Sequence, residues 1–201
     1  MSAQDRQRPL PWAEVALAPL EQDDLELVHG WQNAPAVRDL TMGFRYPIQK
    51  DTVRDWIAGL SAGAPRRAVY AIRHRDEAVG IVHLDEMVPH QRRASLGVFV
   101  AAPDRRKSGI GHVATALILD YGFNGLDLRK VGLEVLATNA GAIALYERLG
   151  FVREGVKRQE YFADGACHDS CVYGLLRAEF AALPAAAQRL CLGLGRSDGT
   201  A

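Results

Sequence analysis

Along the chain, the spacing of apolar residues switches between a period of two and a period near 3.6, which divides it into strands and helices. Loose alternation over 12–20 predicts a first strand. Glu21-Gln22-Asp23-Asp24 then opens a helix over 21–31, with acidic residues where the positive end of the helix dipole favours them. Pro35 breaks this helix and starts a short second one. After a loop over 41–47, Val53, Ile57 and Leu60 share one side of a helix over 51–60. Strands are predicted over 68–73 and 78–85 around the Arg75-Asp76-Glu77 turn, and over 94–101 after a turn at 89–91. Ile110, Val113, Leu117 and Tyr121 form the stripe of a helix over 110–126. A strand over 130–137 turns Val131, Leu133 and Val135 one way, and Gly132, Glu134 and Leu136 the other. A helix over 140–149 follows, with Asn139 as its N-cap. Strands over 151–156, 160–164 and 167–176 close the pattern, the last two as a hairpin about Gly165. Strands interleaved with helices give an α/β (α+β) fold in a single domain over 12–178. The flanks are a polar, proline-broken lead-in over 1–11, read as flexible, and an alanine-rich stretch over 179–201, read as a helical extension with a disordered tail.

Chemistry enters between the strand over 94–101 and the helix that follows it. The connection reads Pro103, the run Asp104-Arg105-Arg106-Lys107, then Ser108-Gly109-Ile110-Gly111. Two glycines allow a tight turn and close approach to main-chain N–H groups at a helix start, which have no partner within the helix. That arrangement suits an anion such as a phosphate. The P-loop and the dinucleotide fingerprint both require other glycine spacings, and neither is present.

Charge narrows the partners. With 24 Lys plus Arg against 24 Asp plus Glu, the chain has a formal net charge of zero, which offers nucleic acid or an anionic membrane no general attraction. Basic character is confined to patches the size of a phosphate site, at 105–107 and 91–93. No apolar run approaches the length of a membrane span, and three cysteines, an odd number, argue against a disulfide framework. Cytoplasmic placement is the simplest expectation. Cys167, His168 and Cys171 fall short of a structural zinc set, so no metal is expected.

A second motif lies about 30 residues beyond the glycine loop: Leu133-Glu134-Val135, Asn139, Ala142, Leu145-Tyr146-Glu147 and Gly150-Phe151. With Arg106-x-x-Gly109-x-Gly111, it resembles the signatures of the GNAT superfamily of acyl-CoA-dependent N-acetyltransferases. Trp31-x-Asn33-x-Pro35, Tyr121-Gly122-Phe123 and Glu154-Gly155 are similar to the branch of ribosomal-protein alpha-amine and spermidine acetyltransferases. The resemblance spans about 17–176. It implies a mixed, mostly antiparallel central sheet, flanked by helices and splayed open between the strands ending near 101 and 137, with acetyl-CoA in the gap. Phe99 and Val100 would offer a strand edge to the pantetheine arm. Arg105, Arg106, Lys107, Ser108, Gly109, Ile110 and Gly111 would hold the pyrophosphate, and Asn139 would either contact the CoA arm or cap its helix.

The implied reaction sets further demands. An acceptor amine with a pKa of about 10 is an ammonium at neutral pH, so a base must take its proton before it attacks the thioester. Tyr146 is the family match for the donor that protonates the departing thiolate. Glu134, raised in pKa by burial beside leucines, and His83, whose residue type titrates near neutrality, are alternative bases. Asp85 stands beside His83 as a rival base and as a substrate contact. Trp31, Phe44, Tyr46 and Tyr161 would wall the acceptor site. The acceptor stays open between a polyamine, an amino sugar, an antibiotic and a protein N-terminus. A polyamine would call on carboxylates among Glu21, Asp23, Asp24, Glu26, Asp85 and Glu86. A homodimer is a family-based expectation. Two other readings are a non-catalytic acyl-CoA sensor or scaffold and an unrelated nucleotide-binding domain; Tyr146 and Glu134 speak against the first, the missing fingerprints against the second.

Overall fold

A two-residue turn at Arg75 and Asp76, with φ of 51° and 68°, has the left-handed geometry that matches the twist of a tight hairpin. It joins β2 (Ala68–His74) to β3 (Glu77–Val88) within an antiparallel meander that starts at β1 (Val15–Pro19) and ends at β4 (Arg93–Val100). The computed structural model describes residues 10–39, 41–42, 46–60, 66–163 and 165–180. Phe44, most of the 1–11 lead-in and the 181–201 part of the C-terminal stretch lie outside the described residues. Leu10 and Pro11 are described, and they pack on Gly109.

Helices α1 (Leu25–Asn33), α2 (Pro35–Arg38) and α3 (Lys50–Gly59) lie between β1 and β2; α4 (Ile110–Asp120) joins β4 to β5 (Lys130–Leu136). Then come α5 (Ala140–Arg148), β6 (Val152–Ala163) and β7 (Ala166–Leu176). The seven strands run in the order β1-β2-β3-β4-β5-β7-β6, and every pairing is antiparallel except β4 with β5. That parallel pairing is short, covering Arg93 with Lys130, Ala94 with Val131 and Ser95 with Gly132. Beyond Ser95 and Gly132 the strands part. The mixed, mostly antiparallel sheet with an opening at its centre is the fold expected from the sequence.

Two apolar clusters sandwich this sheet. Ile110, Val113 and Leu117 of α4 pack with Leu84, Leu96, Val131, Leu133 and Tyr146 on one face. Val28 of α1 and Val53 and Ile57 of α3 pack with Ala71 and Ile81 on the other. Each fully buried aliphatic side chain contributes roughly 1.5–3 kcal/mol, so the core is anchored on both sides of the opening.

Three elements differ from the sequence reading. The helix expected to reach 126 ends at Asp120 and widens into a π-helical turn, Tyr121–Gly125, where Leu126 N–H donates to Tyr121 O at 2.9 Å. The wider turn seats Phe123, 1% exposed, against Phe180. β6 is one 12-residue strand instead of two short ones, because register shifts at Arg153/Gly155 and Lys157/Tyr161 absorb the irregular pattern. The acidic start of the first helix is a separate 3-10 turn, Gln22–Asp24, in which Asp24 accepts from Glu21 N–H at 3.0 Å and from Arg73 at 3.1 Å.

Candidate active site

The parting of β4 and β5 leaves a cavity of about 1250 Å³ that passes from the α4–α5 side of the sheet to the α1–α3 side. Gly109, Gly111, Lys107, His112 and Arg148 line it on the first side, and Asp39, Thr41, Trp56, His83 and Asp85 on the second. Basic groups thus stand at one mouth and carboxylates at the other.

On the α4 side, Gly109 caps the helix with φ of 91°, a left-handed conformation that would strain a residue carrying a side chain. It aims the first turn of α4 into the cavity. The three basic residues ahead of it divide the work in a way the sequence did not foretell. Arg106 Nε donates to Val100 O at 2.9 Å, and Nη2 donates to Ala101 O and Ala36 O, both at 3.0 Å. Its guanidinium therefore ties the end of β4 to α2. Arg105 Nη1 meets His74 Nδ1 at 2.8 Å and Nη2 meets Glu77 at 3.2 Å. Since arginine only donates, His74 Nδ1 accepts, and its Nε2 donates to Glu14 at 3.1 Å. Lys107, exposed in the cavity mouth, is the residue of the three whose charge has no partner among the described residues.

His112 and Arg148 also line this half, and neither was among the candidates read from the sequence. Burial, and then the nearby Arg148 charge, push the His112 pKa down to about 4. Its Nδ1 is buried without a hydrogen-bond partner. An orphaned polar atom beside a helix N-terminus and free cations is the environment a polyphosphate would complete. The residues on this side therefore fit CoA. Ile110 is 1% exposed and belongs to the core, so its side chain is not part of the site. Ser108 Oγ donates to Arg105 O at 2.6 Å and shapes the loop. Asn139 accepts from Ala142 N–H at 3.1 Å, so its oxygen caps α5, although the residue borders the cavity. Phe99 and Val100 line the open edge of β4, where the Val100 carbonyl already accepts from Arg106.

At the junction, Tyr146 of α5 is 6% exposed and packs edge-on to Phe151 at 5.7 Å. Burial pushes its hydroxyl up to about 12, so the group stays protonated well above neutrality.

On the far side, Gly97 and Glu134 each stand two residues past the last β4–β5 pair, flanking the start of the opening. His83 lies opposite Gly97, and its ring covers the glycine so closely that an added Cβ would overlap the imidazole. His83 Nδ1 is 2.9 Å from Asp85 Oδ2. The His83 contact holds the Asp85 carboxyl below its usual range, against the opposing effect of burial.

Glu134 corrects an expectation. Burial does push its pKa upward, but the Lys157 ammonium at 2.5 Å and the Ser170 hydroxyl outweigh it, and the carboxyl lies below its ordinary value. It is an anionic wall, not a carboxyl tuned upward.

The aromatic wall is also different. Trp31 packs edge-on against Phe99 at 6.2 Å and buttresses the site from the second core instead of facing the cavity. Tyr46 is 85% exposed and does not border the cavity. Tyr161 donates to Thr41 O at 3.3 Å, bracing the loop that does. Trp56, Met42, Ile48, Val53 and Val69 supply the apolar wall. Of the carboxylates proposed for a polyamine, Asp85 reaches the cavity, whereas Asp24 pairs with Arg73 and Glu26 with Lys50. The other two cavity carboxylates, Asp39 and Glu134, are ones that list omitted.

A family model described as an acetyltransferase (GNAT) domain matches residues 14–152. The spermidine N(1)-acetyltransferase of Escherichia coli (strain K12) is 31% identical over 151 residues, which cover 75% of this chain and 80% of that protein. A putative ribosomal N-acetyltransferase of Bacillus subtilis (strain 168) is 31% identical over 101 residues, half of this chain and 55% of its own. The crystal structure of spermidine N-acetyltransferase from Vibrio cholerae in complex with CoA and spermine superposes with a TM-score of 0.77 at 25% identity, covering 83% of this chain and 98% of that one. The chain thus belongs to the GNAT acetyltransferases, in the branch of the spermidine and ribosomal enzymes, and transfers acetyl from acetyl-CoA to an amine.

Proposed function

We propose that the acceptor is an aliphatic polyamine and that its reactive nitrogen enters from the α1–α3 side, between His83 and Glu134. The observation that carries this reading is the separation of charge along one cavity. Lys107 and Arg148 border the α4 mouth, whereas Asp39, Asp85 and Glu134 border the other, among Trp56, Val53, Ile48 and Val69. Alternating methylenes and ammonium groups match an apolar wall with spaced carboxylates. The relatives named as spermidine acetyltransferases support the same class.

In this reading, CoA lies along the β4 edge with its phosphates at the α4 N-terminus, held by main-chain N–H groups of 109–111 and by Lys107. Arg105 and Arg106 shape the loop. Glu134 holds the incoming ammonium, and His83, oriented by Asp85, takes its proton. The neutral nitrogen attacks the thioester carbonyl, the C–S bond breaks, Tyr146 protonates the departing thiolate, and the proton then lost by the acylated nitrogen restores the Tyr146 hydroxyl, leaving amide and free thiol. The free thiols of Cys167 and Cys171 fit a reducing, cytoplasmic setting, and the dodecameric Vibrio cholerae relative supports self-association, beginning with a homodimer.

Thiol release from acetyl-CoA, measured against spermidine, spermine, monoamines, amino sugars, aminoglycosides and peptide N-termini, tests the acceptor. The expected result is a kcat/KM for spermidine at least tenfold above that of every other class. Preference for a peptide α-amine would replace the polyamine by a protein N-terminus, and CoA binding with no turnover of any amine would favour the sensor reading.

A further inference from the structure

Glu134 already has a primary ammonium bound to it, supplied by the chain itself. Lys157 Nζ donates to Glu134 Oε2 at 2.5 Å, and the same nitrogen lies 3.3 Å from Glu160 Oε1. The sheet registers explain how the groups meet. Leu136 pairs with Ser170 and Ser170 with Lys157, so all three share a face, and Glu134, two residues from Leu136, shares it as well. This is the face that the acceptor reading assigns to the amine.

Glu160 needs a different explanation. Three residues along a regular strand, its side chain would point to the opposite face from Lys157. The register shift between Lys157 and Tyr161 removes that alternation, with Gln159 at φ of 53° and its N–H donating to Asp169 at 2.8 Å. The bulge brings a second carboxylate within reach of the lysine, and Tyr161 then ties this part of β6 to Thr41 at the cavity wall. Lys157 and Glu160 are each about half exposed, whereas the Glu134 side chain is 26% exposed. One ammonium therefore lies between an inner carboxylate facing the cavity and an outer one facing solvent.

We propose that Lys157 is an intramolecular stand-in for the acceptor's ammonium, which holds Glu134 until a substrate amine displaces it onto Glu160. The proposal rests on the acceptor amine entering beside Glu134. It makes Lys157 a specificity-determining residue. An amine must exchange with a resident cation, and the resident keeps an ion pair after it is displaced. A cationic amine gains from that exchange and a neutral ligand does not, so the device selects for charge.

The test compares acceptor KM at saturating acetyl-CoA in Lys157→Met, Glu160→Gln and the double variant, with the CoA dissociation constant measured alongside. Lys157→Met removes the competitor, and the acceptor KM is expected to fall about twofold to fivefold, the scale of one partly exposed ion pair. Glu160→Gln removes the landing place, and KM is expected to rise by a similar factor. The double variant should match Lys157→Met, because Glu160 acts only through the lysine. CoA affinity should be the same in all three. Lys157→Gln provides a second variant with the same expected direction as Lys157→Met should the latter fold poorly. A rise in acceptor KM, or a fall in kcat/KM, in both Lys157 variants would overturn the proposal and leave the lysine as a support that orients Glu134. The comparison uses whichever amine the wild-type enzyme acetylates best. If that is a peptide, the polyamine reading fails while the direction of the KM shifts still decides the role of Lys157.

Discussion

In the proposed mechanism Tyr146 and His83 take opposite halves of the proton traffic, and their surroundings suit each to its half. Burial keeps the tyrosine protonated up to about 12. A donor works in its protonated form, so it is lost only as pH rises through that value, and the rate should show no alkaline limb from Tyr146 below about pH 11. Tyr146→Phe preserves the packing against Phe151 and removes the proton. We expect turnover to fall by about 10²-fold or more with CoA affinity nearly unchanged, from thiol-release kinetics and calorimetry together; an equal loss in both would assign the hydroxyl to binding. His83 depends on a residue with no chemistry of its own. Because a Cβ on Gly97 would overlap the imidazole, Gly97→Ala should turn the ring out of the cavity and lower kcat. Circular dichroism and CoA binding should stay near wild type, and unchanged kcat would remove His83 from the reaction. The need for glycine at 97 was invisible in the sequence, since it arises from a cross-strand neighbour 14 positions away.

At the scale of elements, the glycine loop was legible and the roles of its arginines were not. Spacing and glycine content marked a strand, a turn and a helix start, all local properties. Whether a guanidinium faces a ligand or its own backbone depends on where the chain returns. Arg106 reaches Ala36, 70 positions earlier, and Arg105 reaches His74 and Glu77 of the β2–β3 hairpin. The same limit hid the Glu134 environment: its strand position was read correctly, but Lys157 and Ser170 arrive from β6 and β7. These different roles predict different salt responses. Lys107→Ala removes an exposed charge, so its loss of CoA affinity should shrink as salt screens the wild-type contact. Arg106→Ala releases the end of β4, where hydrogen bonds to a charged donor contribute about 1.5–3 kcal/mol. It should lower the Tm and weaken CoA binding by a factor that stays constant between low and high salt. If both losses decline together with salt, Arg106 is a phosphate ligand after all.

For the molecule as a whole, equal numbers of acidic and basic residues give no net charge, yet the charges are sorted along the cavity that crosses the sheet. Composition could not reveal this sorting, because it depends on β4 and β5 pairing over three residues and then separating. On the proposed reading the two substrates have opposite charge, a polyphosphate and a polycation, and each would meet the mouth of opposite sign. A molecule with uniform charge would attract one substrate and repel the other, so salt would raise one KM and lower the other. Sorted charge predicts that both rise. The Debye length falls from about 30 Å at 0.01 M salt to about 3 Å at 1 M, which removes attraction across a mouth of this size while sparing contacts already made. Steady-state kinetics over that range should therefore give increasing KM values for acetyl-CoA and for spermidine. The slope for spermidine should exceed that for a monoamine, because more charges are screened. A spermidine KM that falls with salt would mean that the carboxylates at the acceptor mouth are neutralised by their internal partners, with Lys157 first among them, and that the apolar wall alone selects the amine.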